Sequence, residues 1–568
     1  MEHDYEAAIG RLNELQDRFV PDPEKPKRAI RSYDVAEILE AVRRESRLER
    51  IVEKPKTDVG AIRSRKNGNK FYLERNFNQA LTFYNQSLCN AESGSEQLGI
   101  GYGNRSAVLF EQGDYELALY SINLAKKNNY PERLMAKLLA REANCKQRIA
   151  DGYSKGTVPG QQMGINVDTN PRIPFLAKGI GMSYDAKFGR GLIAEKDFNP
   201  GDVICDEPNE LCGIEPNLLY SSCSQCSSES MQMLIPCPTC PYAMFCSEKC
   251  RELNWKLYHR FECAVASKMF IASFVTIAAH PRLFFYGLTQ FGDDLQAMMD
   301  FYESEVSPEF NPLEIDFANL DRMEVFKAYH NIKPALNPGK SNENKFVACV
   351  HYLAYLQHPL VRSIISTSAQ RRFFLRAMLA YNDVVTSTAK SVTNLEDHNT
   401  TLVTPVVSLC NHSCDPNANT IVHYGRTKMV LLRPVRKGEQ IFTSYAPAWW
   451  DLDSKENKKD ILNFNCQCVV CDRESTASRE WRSMLKRPFP KHAAKNLLTL
   501  RAVVNHENSN VAARVIALQQ FFKRFSALHP HEALGPCLER YCLLLNNCTY
   551  TEDEALLRAR LQAEFVEQ

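Results

Sequence analysis

The chain has 568 residues, too many for one ordinary domain, and its 44% hydrophobic and 24% charged residues fit a soluble protein of several folded units. A net charge of +2 lacks the basic bias of a nucleic-acid- or membrane-surface-binding protein, so direct nucleic-acid binding is not indicated. No apolar run reaches membrane-spanning length and the charged N-terminal stretch lacks a signal-peptide core, so an intracellular protein of the cytoplasm, the nucleus or both is expected.

Residues 1–150 read as a helical region. Within it, Ser32–Glu53 is helical in pattern and rich in charge, which reads as a solvated or capping helix. An internal repeat follows: Phe77, Ala80 and Ser87 recur as Tyr115, Ala118 and Ala125, each pair 38 residues apart. Small residues where paired helices cross give this pattern, which resembles the tetratricopeptide (TPR) repeat of about 34 residues. The surplus fits a longer turn around Gly94–Gln97, and Pro131–Lys146 opens a third unit, so the repeats span about 65–147. Residues 151–174, rich in Gly, Ser and Pro, read as a linker, and strand-and-turn pattern occupies 175–222. A cysteine cluster fills 223–263, and 264–400 read as mostly helical. Strands are predicted at Val403–Leu409, Thr420–Tyr424, Met429–Pro434 and Gln440–Thr443, within 401–446. Three more cysteines lie in 447–473, and 474–568 read as stacked helices, the last starting at a capping box, Thr551–Glu554.

Seven of the 20 cysteines fall between Cys223 and Cys263. Without a secretory signal, metal ligation is a better reading than a disulfide framework. The ligands come in close pairs: Cys223 and Cys226, Cys237 and Cys240, Cys246 and Cys250, His259 and Cys263. Zinc takes four tetrahedral thiolate or imidazole ligands, so four pairs make two closed sites. Pairs one and three are expected to share one ion, and pairs two and four the other. That crossing staples a segment too short for its own core. Cys466, Cys468 and Cys471 leave a third zinc one ligand short, and Cys414 supplies the fourth. The nine remaining cysteines read as reduced packing residues.

The paired spacing resembles the MYND zinc module, which implies a structural element that docks proline-rich peptides. Gly189-Arg190-Gly191-Leu192, Asn411-His412, Tyr445 and Cys466–Cys471, in that order, resemble a SET methyltransferase domain and its post-SET zinc segment. With the MYND module between the halves, the chain is identified as a member of the SET-and-MYND family, in its TPR-bearing branch. The fold implied is α+β and multidomain: a β-rich SET core split by the zinc insert and flanked by N- and C-terminal helical, TPR-like regions. The resemblance implies methyl transfer from S-adenosyl-L-methionine to a lysine amine of a protein substrate, with three zinc ions. It places Phe188, Gly189, Arg190, Gly191, Asn382, Asn411, His412, Tyr445 and Phe464 at the cofactor and Tyr445 at the reacting amine. One position departs from the pattern. The family usually has a second tyrosine four residues before the first post-SET cysteine, and here that residue is Leu462. The rival expectation is therefore a catalytically weak or inactive adaptor, a transcriptional corepressor or chaperone-linked scaffold. The repeats also resemble clamps that grip acidic chaperone tails, which implies carboxylate contacts from Arg65, Asn69, Asn104, Lys137 and Arg141.

Overall fold

The computed structural model describes residues 2–20, 32–153, 164–273, 279–303, 310–331, 341–388, 390–393, 399–423, 425–451, 462, 464–506 and 510–546. The predicted capping box at Thr551–Glu554 lies outside them. No described helix is long and apolar enough to cross a membrane.

Helices α1 (Glu2–Phe19) and α2 (Val35–Glu45) open the chain. Asp34 caps α2 through a capping box with Glu37, which satisfies N–H groups the first turn leaves open. The helix expected over Ser32–Glu53 to be solvated or capping is half-buried. Ile38, Ala41 and Val42 enter a large core that also holds Phe346, and Tyr33 donates its backbone N–H to Asn342. Charge covers only the outer face of α2; the apolar stripe meets a helix, Ser341–Tyr355, some 300 residues away in sequence.

Five helices follow: α3 (Asp58–Leu73), α4 (Phe77–Asn90), α5 (Glu96–Glu111), α6 (Tyr115–Lys127) and α7 (Glu132–Ala150). The repeated residues take equivalent places. Phe77 and Tyr115 each begin a helix, and Ala80, Ala118, Ser87 and Ala125 are fully buried. Gly68 lets α3 cross α4 closely, since a Cβ there would lie 2.6 Å from the Tyr84 ring.

The strands are β1 (Ile180–Asp185), β2 (Gly189–Ala194), β3 (Val203–Pro208), β4 (Leu211–Ile214), β5 (Ile235–Pro236), β6 (Met244–Phe245), β7 (Lys390–Thr393), β8 (Asn399–Val403), β9 (Asn411–His412), β10 (Ala418–His423), β11 (Arg426–Leu431) and β12 (Phe442–Thr443). They form small sheets: β1-β2, β10-β11-β3, β4-β8-β7, β5-β6 and the parallel pair β12-β9. Val203, Ile421, Val430 and Leu432 pack under the C-terminal helices, while Cys205, Ala418, Met429 and Leu431 face the central core. Those C-terminal helices are Thr476–Leu485, Lys491–Asn505, Val511–Arg524 and 535–546.

Several expectations are corrected here. Val403–Leu409 is not one strand. β8 stops at Val403 and the chain turns through a 3-10 segment, Val407–Leu409. Pro405 cannot donate to a ladder, and the Glu207 carboxyl on β3 accepts the N–H groups of Val406 (3.1 Å) and Val407 (2.8 Å). The stretch expected to be helical up to residue 400 ends its last helix at Thr388, and β7 and the start of β8 fall within it. The end of the expected linker belongs to the fold: Ile173 is fully buried, and Asn166 accepts the Val203 N–H and donates to the Gly201 carbonyl. Strand β11 begins at Arg426, earlier than the predicted Met429, with Arg426 paired to Asp206 on β3.

The cysteine-rich module shares one core with helices α4–α6, in which Leu234, Ile235, Met244 and Phe245 join Leu81, Leu88, Val108 and Ile122. Arg105 ties the two. It is fully buried and donates to Ser121, Asn85 and the Leu234 carbonyl, the last at 2.6 Å. Asn85 donates in turn to the carbonyls of Tyr220 and Met231. Replacing Arg105 by Ala would strand these acceptors in a dry interior, at an expected cost of roughly 2–4 kcal/mol. Thermal unfolding of the full chain checks this, and an unchanged midpoint would refute the role given to Arg105.

Candidate active site and metal centres

The twelve predicted metal ligands gather into three groups: Cys223, Cys226, Cys246 and Cys250; Cys237, Cys240, His259 and Cys263; and Cys414, Cys466, Cys468 and Cys471. Within each group the ligand atoms lie within 4.8 Å of one another. A zinc ion with thiolates at about 2.3 Å puts neighbouring sulfurs near 3.8 Å apart. The sulfur separations are 3.7 Å for Cys226–Cys246, 3.9 Å for Cys237–Cys263 and 3.6 Å for Cys414–Cys471. Donor chemistry and spacing both fit zinc. His259 turns Nε2 to Cys237 and Cys240, and its Nδ1 lies 3.6 Å from Glu262. Arg282 grips Glu262 through two nitrogens, at 2.8 and 3.0 Å, so the carboxylate that orients the histidine is itself fixed.

The chain around this module is largely engaged. The Met231, Met233 and Leu234 carbonyls accept from Asn85, Tyr120 and Arg105. On the other side of the β5-β6 hairpin, Ser224 pairs with Met244 through both its backbone N–H and its hydroxyl. Of the nine cysteines outside the clusters, seven are buried, Cys542 is partly so and Cys548 lies outside the described residues.

Three far-separated segments meet at the turn Asn411–Asp415. Gly189, in a left-handed conformation (φ +73°), ends the turn between β1 and β2, and a Cβ there would meet nothing within 4 Å. Open room therefore adjoins the backbone, as close approach of a bound molecule requires. Gly191 is different: a Cβ there would lie 1.9 Å from Gln440 Nε2 and 2.7 Å from Asn411 Nδ2. Asn411 Nδ2 donates to the Arg190 carbonyl at 2.9 Å, and β9 pairs with β12, so Asn411 links both strands.

The His412 ring accepts the Tyr445 N–H at Nδ1 (2.9 Å). Its Nε2 therefore carries the proton and faces Cys414 Sγ at 3.4 Å. The side chain expected at the cofactor thus joins Tyr445 to a predicted metal ligand. The Arg190 guanidinium donates to the carbonyls of Phe310 and Asn331, holding β2 to the helical insert. Asn382 sits on the helix Ser368–Thr388 and donates to the Asn344 carbonyl rather than to the turn.

Aromatic rings wall the site. The His412 ring lies 5.4 Å from Tyr445 and 6.0 Å from Phe464, and Phe188 meets Phe442 edge-on at 5.2 Å. Tyr445 and Phe464 remain 37% and 43% exposed, so these two rings line an accessible face. The Tyr445 hydroxyl donates to the Cys410 carbonyl at 2.5 Å. Desolvation, with Cys410 adding to it, holds this phenol above its ordinary pKa, so it stays protonated at neutral pH. Lys187, in the β1-β2 turn, pairs with Asp472 at 2.7 Å and links that turn to the last cysteine segment. Leu462 is buried.

The clamp candidates lie on α3, α5 and α7. Arg65 donates to Gln97, Asn104 to Asn69, and Arg141 to the Gly103 carbonyl and the Ser106 hydroxyl. Lys137 is exposed.

Four polar residues were missed by sequence reasoning: Glu207, Glu262, Gln440 and Asp415. Two had a local signal. Glu262 stands one helical turn after His259, and Asp415 directly follows Cys414. Asp415 is buried. Burial pushes its carboxyl up, but His529 and the Trp481 donor outweigh this and hold it at about 2.

The Gly-rich hairpin, the Asn-His turn and the tyrosine beside it define a SET-domain protein, and the SET domain family matches residues 189–446. The chain is similar to Protein-lysine N-methyltransferase SMYD4 of Pongo abelii, 23% identical over 540 residues, or 72% of this chain and 66% of that protein. It is also similar to SET domain and MYND-type zinc finger protein 6 of Schizosaccharomyces pombe, 21% identical over 322 residues and covering 56% of this chain and 57% of that one. N-lysine methyltransferase SMYD2 of Mus musculus is 24% identical over 299 residues, 52% of this chain and 60% of that one. The chain thus spans 66%, 57% and 60% of these relatives' lengths, and the similarities together support a place for it in the SET-and-MYND family.

Burial raises the Glu207 carboxyl from 4.5 to about 7, against the pull of the Val407 and Val406 N–H groups. The folded state therefore keeps a proton that the unfolded chain loses near 4.5. Stability from this group is full below that pH and falls as pH rises through about 7. Glu207→Gln should flatten that decline, so the variant gains stability relative to the parent at pH 8 but not at pH 5. Melting curves across this range decide it; parallel profiles would refute it.

Proposed function

We propose that this chain is an S-adenosylmethionine-dependent protein-lysine N-methyltransferase of the TPR-bearing branch of its family, holding three zinc ions. The convergence of β2, the Asn411–Asp415 turn, Tyr445 and Cys466–Cys471 on one place supports this reading, through the Asn411–Arg190, Tyr445–His412 and His412–Cys414 contacts. S-adenosylmethionine, when bound, supplies an electrophilic methyl group on a sulfonium sulfur. The room beside Gly189 admits it close to the backbone, Phe188 and Phe464 offer ring faces, and Asn411 is fixed where a polar group is needed. Two zinc ions hold the MYND module together, and the third pins the C-terminal cysteine segment beside the site.

Tyr445 carries the chemistry of the acceptor. With its proton given to the Cys410 carbonyl, the phenol oxygen can accept from an amine N–H and line the approach of the substrate. The attacking lysine must be neutral, which costs about 4–5 kcal/mol at pH 7 from a pKa near 10.4. A desolvating aromatic wall lowers that cost by disfavouring the ammonium form. The adaptor reading rests on Leu462, which cannot donate where relatives of this family usually have a second phenol. Calorimetry of the purified chain with S-adenosylmethionine separates the two readings, because absent binding would sink the enzyme. If it binds, Tyr445→Phe should retain cofactor affinity and lower methyl transfer to a lysine substrate by roughly a hundredfold or more. Unchanged turnover would remove Tyr445 from the reaction.

The groove of α3, α5 and α7 is proposed to receive an acidic peptide tail of the kind chaperones carry. Two guanidinium groups, one ammonium and two amides suit carboxylates. Lys137→Ala combined with Arg141→Ala should weaken an acidic C-terminal peptide at least about tenfold at low salt, and equal binding would rule the groove out. A proline-rich peptide at the MYND module would have to use a face other than the two occupied sides of its hairpin.

A further inference from the structure

Asp415 carries a connection that neither the turn nor the cysteines alone explain. Its Oδ1 accepts from Trp449 Nε1 at 2.8 Å and its Oδ2 from Trp481 Nε1 at 2.9 Å. His529 Nε2 lies 3.0 and 3.1 Å from the two oxygens. The donors come from three different places: the segment after Tyr445, the helix Thr476–Leu485, and the end of the 3-10 turn that follows Val511–Arg524. The carboxylate is buried, so its four contacts are not exchanged for water. The backbone adds a further tie, because the Trp449 N–H donates to the carbonyl of Cys414 at 2.8 Å.

We propose that Asp415 is a positioning residue that couples docking of the C-terminal helices to the metal site of Cys414, Cys466, Cys468 and Cys471. The proposal rests on reading those cysteines as a zinc site and not on methyl transfer. Cys414 precedes Asp415 directly, so the direction of the Asp415 carboxylate and that of the Cys414 thiolate are set by one short stretch of backbone. With Trp481 and His529 seated, the turn is fixed and Cys414 is presented to its three partners. With metal bound, the turn is fixed from the other side and the carboxylate is presented to the C-terminal helices. Binding linkage makes the effect reciprocal: whatever one event does for the other, the second does for the first. Groups that orient metal ligands from outside the coordination shell typically change metal affinity 10–100-fold.

Two measurements on the full chain test this. A competing chromophoric chelator should strip one of three zinc ions from Asp415→Asn at a chelator concentration 10–100-fold lower than from the parent, leaving the other two in place. His529→Leu should behave alike, and His529→Gln, which keeps an N–H donor, should restore part of the affinity. In the other direction, Cys471→Ser should red-shift tryptophan emission, since three of the four tryptophans, Trp449, Trp450 and Trp481, cluster here. Added to Asp415→Asn, Cys471→Ser should give no further shift. Parent-like zinc retention in both Asp415→Asn and His529→Leu overturns the coupling, and so does an emission spectrum unmoved by Cys471→Ser. Parent protein holding only two zinc ions removes the site and the proposal with it, while leaving cofactor binding as a separate result.

Discussion

The turn from Asn411 to Asp415 has to satisfy four partners at once, and the rest of the site follows from how it does so. Asn411 reaches back to the β2 backbone, His412 to Tyr445, Cys414 to the late cysteines and Asp415 to the C-terminal helices. Five consecutive residues cannot move independently. A shift that improves one of these contacts displaces the others, so the turn acts as a rigid node. Its rigidity places Tyr445, because the Tyr445 backbone hangs on the His412 ring and its hydroxyl on the Cys410 carbonyl. Groups held in this way have their geometry set in advance of any binding event.

The cysteine-rich module solves a different problem. Its strands are two residues long, too short to enclose a core. Two four-ligand clusters stand where metal ligation would supply part of what is missing. The rest comes from outside, as Leu234, Ile235, Met244 and Phe245 insert among the side chains of α4–α6. Arg105 shows how closely the two are joined, since a buried guanidinium is tolerated only where acceptors surround it. Helices α3–α7 therefore have two distinct faces: one closes over the cysteine-rich module, and the other carries Arg65, Lys137 and Arg141.

What could be read from the sequence was local. Ligand pairs two to four residues apart report a metal site because the spacing itself makes the geometry, and the 38-residue repeat reports helix crossings for the same reason. The solvated-or-capping reading of α2 could not name what it packs on, because its charge is visible in the sequence but Phe346 lies about 300 residues on. The Val403–Leu409 strand was misread because Glu207 takes the N–H groups a ladder would have used. Residue types also revealed less than their positions. Arg190, Asn411 and His412 stand where the motif puts them, yet their side chains are engaged with neighbours that come from other segments. No spacing rule announces such partners, since they depend on which strands the fold brings side by side.

The division of the β-rich core by so long an insertion has a simple physical basis. Closing a flexible loop costs only about 0.6 kcal/mol more for each doubling of its length. Here even that cost is reduced, because the insertion leaves and returns through neighbouring strands: β4 and β8 run antiparallel, with Leu211 opposite Val403. The inserted cysteine-rich module and helices thus begin and end at one place and can pack against the N-terminal helices without straining the sheet. The same ladder carries a consequence for the site. Four residues past Val403 the chain has already turned, under the carboxyl of Glu207, toward the Asn411–Asp415 node. The point where the insertion closes and the point where the site begins are therefore one short piece of backbone, so packing of the inserted helices, through Tyr329 on the Val403 carbonyl, bears directly on where the node sits.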